Sequence, residues 1–151
     1  MTRTTVLASI VAGALLAAAA QGDDPWKVIE VKKDSYRVGV KFKVAPKVGW
    51  KESARVWVVP AQGWKVNGKF PFKIDVTVPA GVSAGKASYG KGDAVEQGEK
   101  KAVWKLSYKA TAAGKAEIKA KVRLSVCKGL EECVTWVEDL KWTIDAREPG
   151  E

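Results

Sequence analysis

The chain has no histidine, and that absence excludes more chemistry than any residue present allows. Without imidazole there is no Ser-His-Asp or Cys-His catalytic set, and most zinc sites lose a ligand type. The carboxylates do not compensate. They occur singly on polar positions or in the group Glu131, Glu132, Glu138 and Asp139, and no two are marked as the acid and base of a glycosidase. A hydrolase is not expected, nor is a metal or another cofactor. No stretch carries a helical period, and no apolar run reaches the roughly 18 to 20 residues needed to span a bilayer as a helix.

The longest apolar run is Val6 to Ala20. It follows a short basic start at Arg3 and ends in small residues, the pattern of a cleavable signal peptide over residues 1–20, cut near Ala20/Gln21. The expected product is a periplasmic or secreted monomer without an integral membrane segment. It comprises one domain over 21–146 and a flexible tail over 147–151. The formal net charge of +9 comes mostly from lysines spread singly along the chain. Such spacing suits solvated strand faces, so no nucleic-acid partner is expected.

What is abundant is period-two alternation, the mark of strands with one buried face. Val38, Val40, Phe42 and Val44 share one parity, as do Phe70, Phe72, Ile74, Val76 and Val78. Ala102, Trp104, Leu106 and Tyr108 form another set, and Ile118, Ala120, Val122, Leu124 and Val126 the longest. Leu140, Trp142 and Ile144 close the series, with shorter strands over Arg55–Val59 and Trp26–Val31. Breakers such as Ala45-Pro46 and Pro79-Ala80-Gly81 separate these runs. The pattern predicts an all-β, immunoglobulin-like antiparallel β-sandwich of about seven to nine strands. Gly81 to Lys101 lacks a clear apolar face and is expected as a long mobile loop or ragged edge strand.

Seven tryptophans are many for this length. Trp104 and Trp142 share the core parity and should be buried, Trp57 is ambiguous, and Trp50, Trp64 and Trp136 are the candidates for exposure.

The remaining chemistry lies in a C-x5-C pair, Cys127 and Cys133. Parity with Arg123 and Ser125 turns Cys127 away from the main core. A five-residue hairpin loop, Lys128 to Glu132 with Gly129 at a turn position, would set the two cysteines opposite each other at about 4.5 to 5.5 Å between Cα atoms. That distance permits a disulfide. Closing so short a loop contributes only about 2 kcal/mol in the chain-entropy model, and an outward-facing pair is open to a partner's thiolate. Lys128 and Arg123 lower thiol pKa here, while the acidic group around residues 131–139 raises it. These cysteines are better suited to being attacked than to attacking. From the residues alone, a redox-active pair and a structural staple both stand.

Gly63-Trp64-Lys65-Val66-Asn67, then Phe70-Pro71-Phe72, then Val126-Cys127 and Cys133 leading into a last strand form a familiar combination. It resembles the N-terminal periplasmic domain of the thiol:disulfide interchange protein DsbD and its stand-alone relatives. The resemblance implies an immunoglobulin-like domain whose cysteine pair, Cys127 and Cys133 here, passes electrons between thioredoxin-like periplasmic oxidoreductases, as a component of a protein-disulfide reductase. It also implies an aromatic cap over the cysteines, for which Phe70 or Tyr89 is available. The chain departs from the family pattern at Ser125-Val126, at Val134-Thr135, and at Lys65 where a histidine is common. The alternative is a non-enzymatic binding module in which the disulfide pins a hairpin and tryptophans make the contacts. Trp64, Phe70 and Trp136 are the binding candidates. A weaker third reading is a basic surface-binding protein.

Overall fold

The computed structural model describes residues 24–150, and the expected signal peptide, 1–20, lies outside them. The alternating runs form strands that pair antiparallel into two sheets. One sheet has the order β1 (Trp26–Lys32), β2 (Tyr36–Lys43), β3 (Lys51–Pro60), β9 (Ala102–Ala110), β6 (Val82–Ala84), with β8 (Glu96–Gln97) also on β9. The other runs β11 (Glu132–Ala146), β10 (Gly114–Lys128), β5 (Lys73–Thr77), β7 (Ser88–Gly90), with β4 (Lys65–Val66) on β10. Packed face to face, they make an immunoglobulin-like β-sandwich, the architecture that the alternation predicted.

The core forms because each long strand contributes its apolar parity. Val38, Val40 and Phe42 from β2, Val56 and Val58 from β3, and Trp104 and Leu106 from β9 meet Ile118, Val122 and Leu124 from β10 and Leu140, Trp142 and Ile144 from β11. Rings join the sheets: Phe42 meets Trp142 at 6.1 Å between centroids, and Phe72 meets Trp104 at 5.6 Å. Aromatic pairs at such separations add about 0.5 to 1.5 kcal/mol beyond the area they bury. Tyr36 of β2 donates its hydroxyl proton to the Glu138 carboxylate of β11, a further tie between sheets. Burial and the adjacent carboxylate push the Tyr36 phenol well above its usual range.

One expectation about organisation needs correction and a second is narrowed. The run Phe70 to Val78 is not one strand: β5 covers only Lys73–Thr77. Pro71 has no N–H for a ladder, so Phe70 and Phe72 reach the core from a turn. For Gly81 to Lys101 the ragged edge strand holds rather than the mobile loop: it supplies β6 and β8 to one sheet and β7 to the other, with β6 and β7 at sheet edges. Buried Val82 and Tyr89 anchor it, the Tyr89 hydroxyl accepts from the Ser107 N–H at 3.0 Å, and the Trp104 indole N–H donates to the Gly90 carbonyl at 3.0 Å. Two buried side chains suffice to order a segment with no apolar stripe.

Gly39 marks a close approach inside the first sheet. A Cβ there would collide with the Trp57 ring and lie 2.8 Å from the Ile29 carbonyl oxygen on the neighbouring strand. The ring has some room to move, but the carbonyl belongs to the ladder. Gly39→Ala is expected to cost about 1 to 3 kcal/mol by overpacking, read as a lowered midpoint in denaturant titration. An unchanged midpoint would show that β1 shifts without penalty.

Candidate functional site

β10 and β11 form the longest hairpin of the molecule, in register from Gly114↔Ala146 to Lys128↔Glu132. The ladder runs one pair past the cysteines, so the loop is three residues, Gly129 to Glu131, and not the expected five. Gly129 takes the tight reversal with φ of 66°, a left-handed conformation that costs glycine no steric strain. Cys127 and Cys133 are directly opposite, 4.0 Å apart at Cα, and are joined by a disulfide. Leu130 at the tip is 95% exposed.

The outward parity of Cys127 proves a poor guide to its accessibility. Cys127 is only 7% exposed and Ser125 only 1%, although both project from the outer face of the sheet. The cause is β4, which pairs along the other edge of β10 with Lys65 opposite Cys127 and Val66 opposite Val126. Beyond it, the Asn67 N–H donates to the Ser125 carbonyl at 3.0 Å, and the Asn67 amide donates to the Ser125 hydroxyl at 3.2 Å. The buried serine is thus satisfied, as a polar group out of water must be. Cys133, on the opposite strand with no third strand beside it, remains exposed. The disulfide therefore joins a covered cysteine to an exposed one.

An open groove of about 630 Å³ runs along this end of the sheet, lined by both cysteines with Lys65, Asn67, Glu99 and Leu130 among its walls. Its floor is held in place from several directions. The Val66 N–H donates to the Glu99 carbonyl at 2.7 Å, and the Lys91 ammonium donates to the Gly68 carbonyl. The expected acidic surroundings hold in part: Glu131 and Glu132 stay at the hairpin tip, with Glu132 next to Cys133 and opposite Lys128. Glu138 takes the inward parity and accepts from Tyr36, and Asp139 pairs with Lys121 six residues along the strand from Cys133, about 20 Å at 3.3 Å per residue. Lys65 is the register partner of Cys127 on β4, and directly paired residues project from the same face of a sheet. An ammonium beside Cys127 favours its thiolate when the bond opens.

Of the binding candidates, Trp136 is 54% exposed. Trp64 is half-buried against the core, and Phe70 stands edge-on to Phe72 with centroids 5.4 Å apart. Neither Phe70 nor Tyr89 lines the groove, where the covering segment is Asn67 to Lys69. Trp50 is exposed as expected, and Trp104 and Trp142 are buried. Lys65, Asn67 and Leu130 are the groove residues that alternation alone does not identify. For Lys65 and Asn67 the Gly63-to-Asn67 motif was the only signal, and it carries no address until β4 pairs with β10, whereas Leu130 falls in the hairpin loop between the cysteines. Among the described residues, no group of three or more Cys, Asp or Glu side chains is placed to hold a metal ion, and no helix is long and apolar enough to cross a membrane.

No protein-family model matches the chain, and no curated protein matches it in sequence. Among solved structures, it is similar to the GAE domain of GGA2p from Saccharomyces cerevisiae, at 11% identity and a TM-score of 0.46, over 78% of this chain and 97% of that one. It is also similar to the N-terminal periplasmic domain of ScsB from Proteus mirabilis, at 15% identity and a TM-score of 0.42. That overlap covers 77% of this chain and 49% of the other.

Because the hairpin is already in register on both sides of the cysteines, the bond should add little to stability. Replacing both by alanine is expected to cost about 2 kcal/mol and leave a cooperative unfolding transition. Failure of the double variant to fold would make the bond a staple. Lys65→Gln should slow reduction of the disulfide by dithiothreitol severalfold, since a leaving thiol of higher pKa departs more slowly. An unchanged rate would remove Lys65 from the site.

Proposed function

We propose that this protein is an exported thiol-disulfide exchange module that accepts electrons from, or passes them to, a thioredoxin-like partner through Cys127 and Cys133. The observation that carries this reading is the uneven cover of the bond: Cys133 is exposed, and Cys127 is buried where β4 pairs with β10, with Lys65 opposite it. The C-x5-C spacing and its resemblance to the DsbD N-terminal domain support the same reading, and the leader-like residues 1–20 support export to a compartment where a disulfide persists.

On this reading the two sulfurs take different roles. A partner's thiolate attacks the Cys133 Sγ, the S–S bond breaks, and its electron pair leaves with Cys127 as a thiolate beside the Lys65 ammonium. The product is a mixed disulfide between Cys133 and the partner. The partner's second cysteine then attacks its own sulfur in that bond and releases Cys133 as a thiolate. The partner finishes oxidised by two electrons, and the domain, after taking up two protons, is a dithiol. The reverse sequence delivers the electrons to a second partner. Leu130 at the hairpin tip offers exposed apolar surface beside Cys133 along the groove.

The reduction potential of the purified domain should lie above about −300 mV, within reach of a biological dithiol, and a lower value would sink the exchange role. A thioredoxin-fold protein that keeps only its attacking cysteine, activated as its mixed disulfide with thionitrobenzoate, should be captured by the free Cys133 thiol of the Cys127→Ala variant, with thionitrobenzoate released. The Cys133→Ala variant should catch far less. Equal capture would mean that β4 does not shield Cys127 in solution.

A further inference from the structure

The two outer faces of the sandwich carry charge in different patterns. On the sheet that bears the disulfide, Lys121 lies between Asp75 and Asp139 across three strands. Lys119 faces Lys141 there, but Glu117 stands 3.8 Å from the Lys119 ammonium. On the other sheet, Lys41, Arg55 and Lys105 are directly opposite one another on β2, β3 and β9, and all three are exposed. Lys51 and Lys109 repeat the arrangement farther along. The acids near this row are engaged elsewhere, Glu30 by Arg37 at 3.5 Å and Glu96 by Lys101 at 3.6 Å. Like charges placed directly across strands oppose folding, so such a row is a standing cost that an anionic partner would relieve.

The same face carries exposed apolar side chains. On edge strand β1, Val28 pairs with Lys41 and Trp26 pairs with Lys43, so both share the face with the cations. Val28 is 54% exposed and Trp26 is 38% exposed, and the Lys41 ammonium sits 5.8 Å from the Trp26 ring centroid. A row of one sign on a broad sheet face, flanked by an exposed tryptophan and valine, matches a headgroup layer. Phosphates meet the cations there, and tryptophan favours the boundary between headgroups and acyl chains. An acidic polypeptide would satisfy the cations but would make no use of Trp26 and Val28.

We infer that the outer face of the β1-β2-β3-β9 sheet docks on an anionic phospholipid bilayer through Lys41, Arg55, Lys105 and Trp26. Docked in this way, the molecule turns the opposite face, with Cys133, toward solvent. The inference holds whether or not the disulfide exchanges.

The test is co-sedimentation of the domain with vesicles of phosphatidylglycerol and phosphatidylcholine, compared with phosphatidylcholine alone. Binding to the anionic vesicles only is expected, with a blue shift of tryptophan emission that Trp26→Ala diminishes. Added salt should weaken it as the screening length falls to about 10 Å near 0.1 M. The triple variant Lys41→Gln/Arg55→Gln/Lys105→Gln should bind about a hundredfold more weakly, because each basic residue near an anionic surface accounts for roughly a fivefold change. Its thermal midpoint should be equal to or above that of the parent, which separates lost docking from lost folding. The control triple Lys119→Gln/Lys121→Gln/Lys141→Gln removes the same charge from the opposite face and should bind nearly as the parent does. The inference is overturned by equal binding to neutral vesicles, by equal losses in the two triples, or by binding of polyglutamate without binding of vesicles.

Discussion

The architecture depends on one long strand that must find hydrogen-bond partners along both edges. β10 runs for fifteen residues, and β11 matches it along one edge at every position. On the other edge β5 serves only Lys119 to Arg123, which leaves the end nearest the hairpin loop without a neighbour. Backbone groups in a half-buried strand cannot remain unpaired without a cost of the order of a lost hydrogen bond, about 1 to 3 kcal/mol each. Two residues of β4 and the Asn67 N–H fill the vacancy. Everything distinctive about the disulfide follows from this repair: the covered sulfur of Cys127, the ammonium of Lys65 on its flank, and the groove between β4 and the hairpin tip.

β4 is too short to hold itself in place. It leans on the stretch from Gly81 to Lys101, whose Glu99 carbonyl accepts from Val66 and whose Lys91 donates to Gly68. That stretch is in turn secured by Tyr89 and Val82 in the core and by short pairings to both sheets. The route from core to site passes through the least regular part of the chain. A segment without an apolar stripe still matters here, because it carries the carbonyls that position the cover over Cys127.

This explains which parts were legible in the sequence. The sandwich was, because strands such as Ile118 to Val126 and Val38 to Phe42 write their burial into every second residue, and a sheet with one apolar face requires another. The opposition of Cys127 and Cys133 was also legible, since a short loop with Gly129 constrains register. The cover was not. Whether an outward residue is exposed depends on a third strand from sixty residues away in the chain, and two-residue β4 leaves no periodic trace. The same limit misplaced the acids: Glu138 is near Cys133 in number, but its parity turns it inward to Tyr36.

The reversed electrostatics bear on how the bond behaves. Had Glu138 and Asp139 flanked the cysteines, both thiolates would have been penalised and the disulfide would have resisted opening. With Glu138 bound by Tyr36 and Asp139 about 20 Å along its strand, the acids left near the pair are Glu131 and Glu132 at the tip, and the residue opposite Cys127 on β4 is Lys65. In the exchange proposed above, with attack at Cys133, a cation there would act on departure, when negative charge gathers on Cys127. On that proposal, a bond between an exposed cysteine and a covered one whose register partner is a lysine would be biased toward one direction of cleavage. That bias comes from strand pairing rather than from any intrinsic reactivity of the cysteines. It belongs to the folded protein, because unfolding removes β4 and leaves the two sulfurs alike.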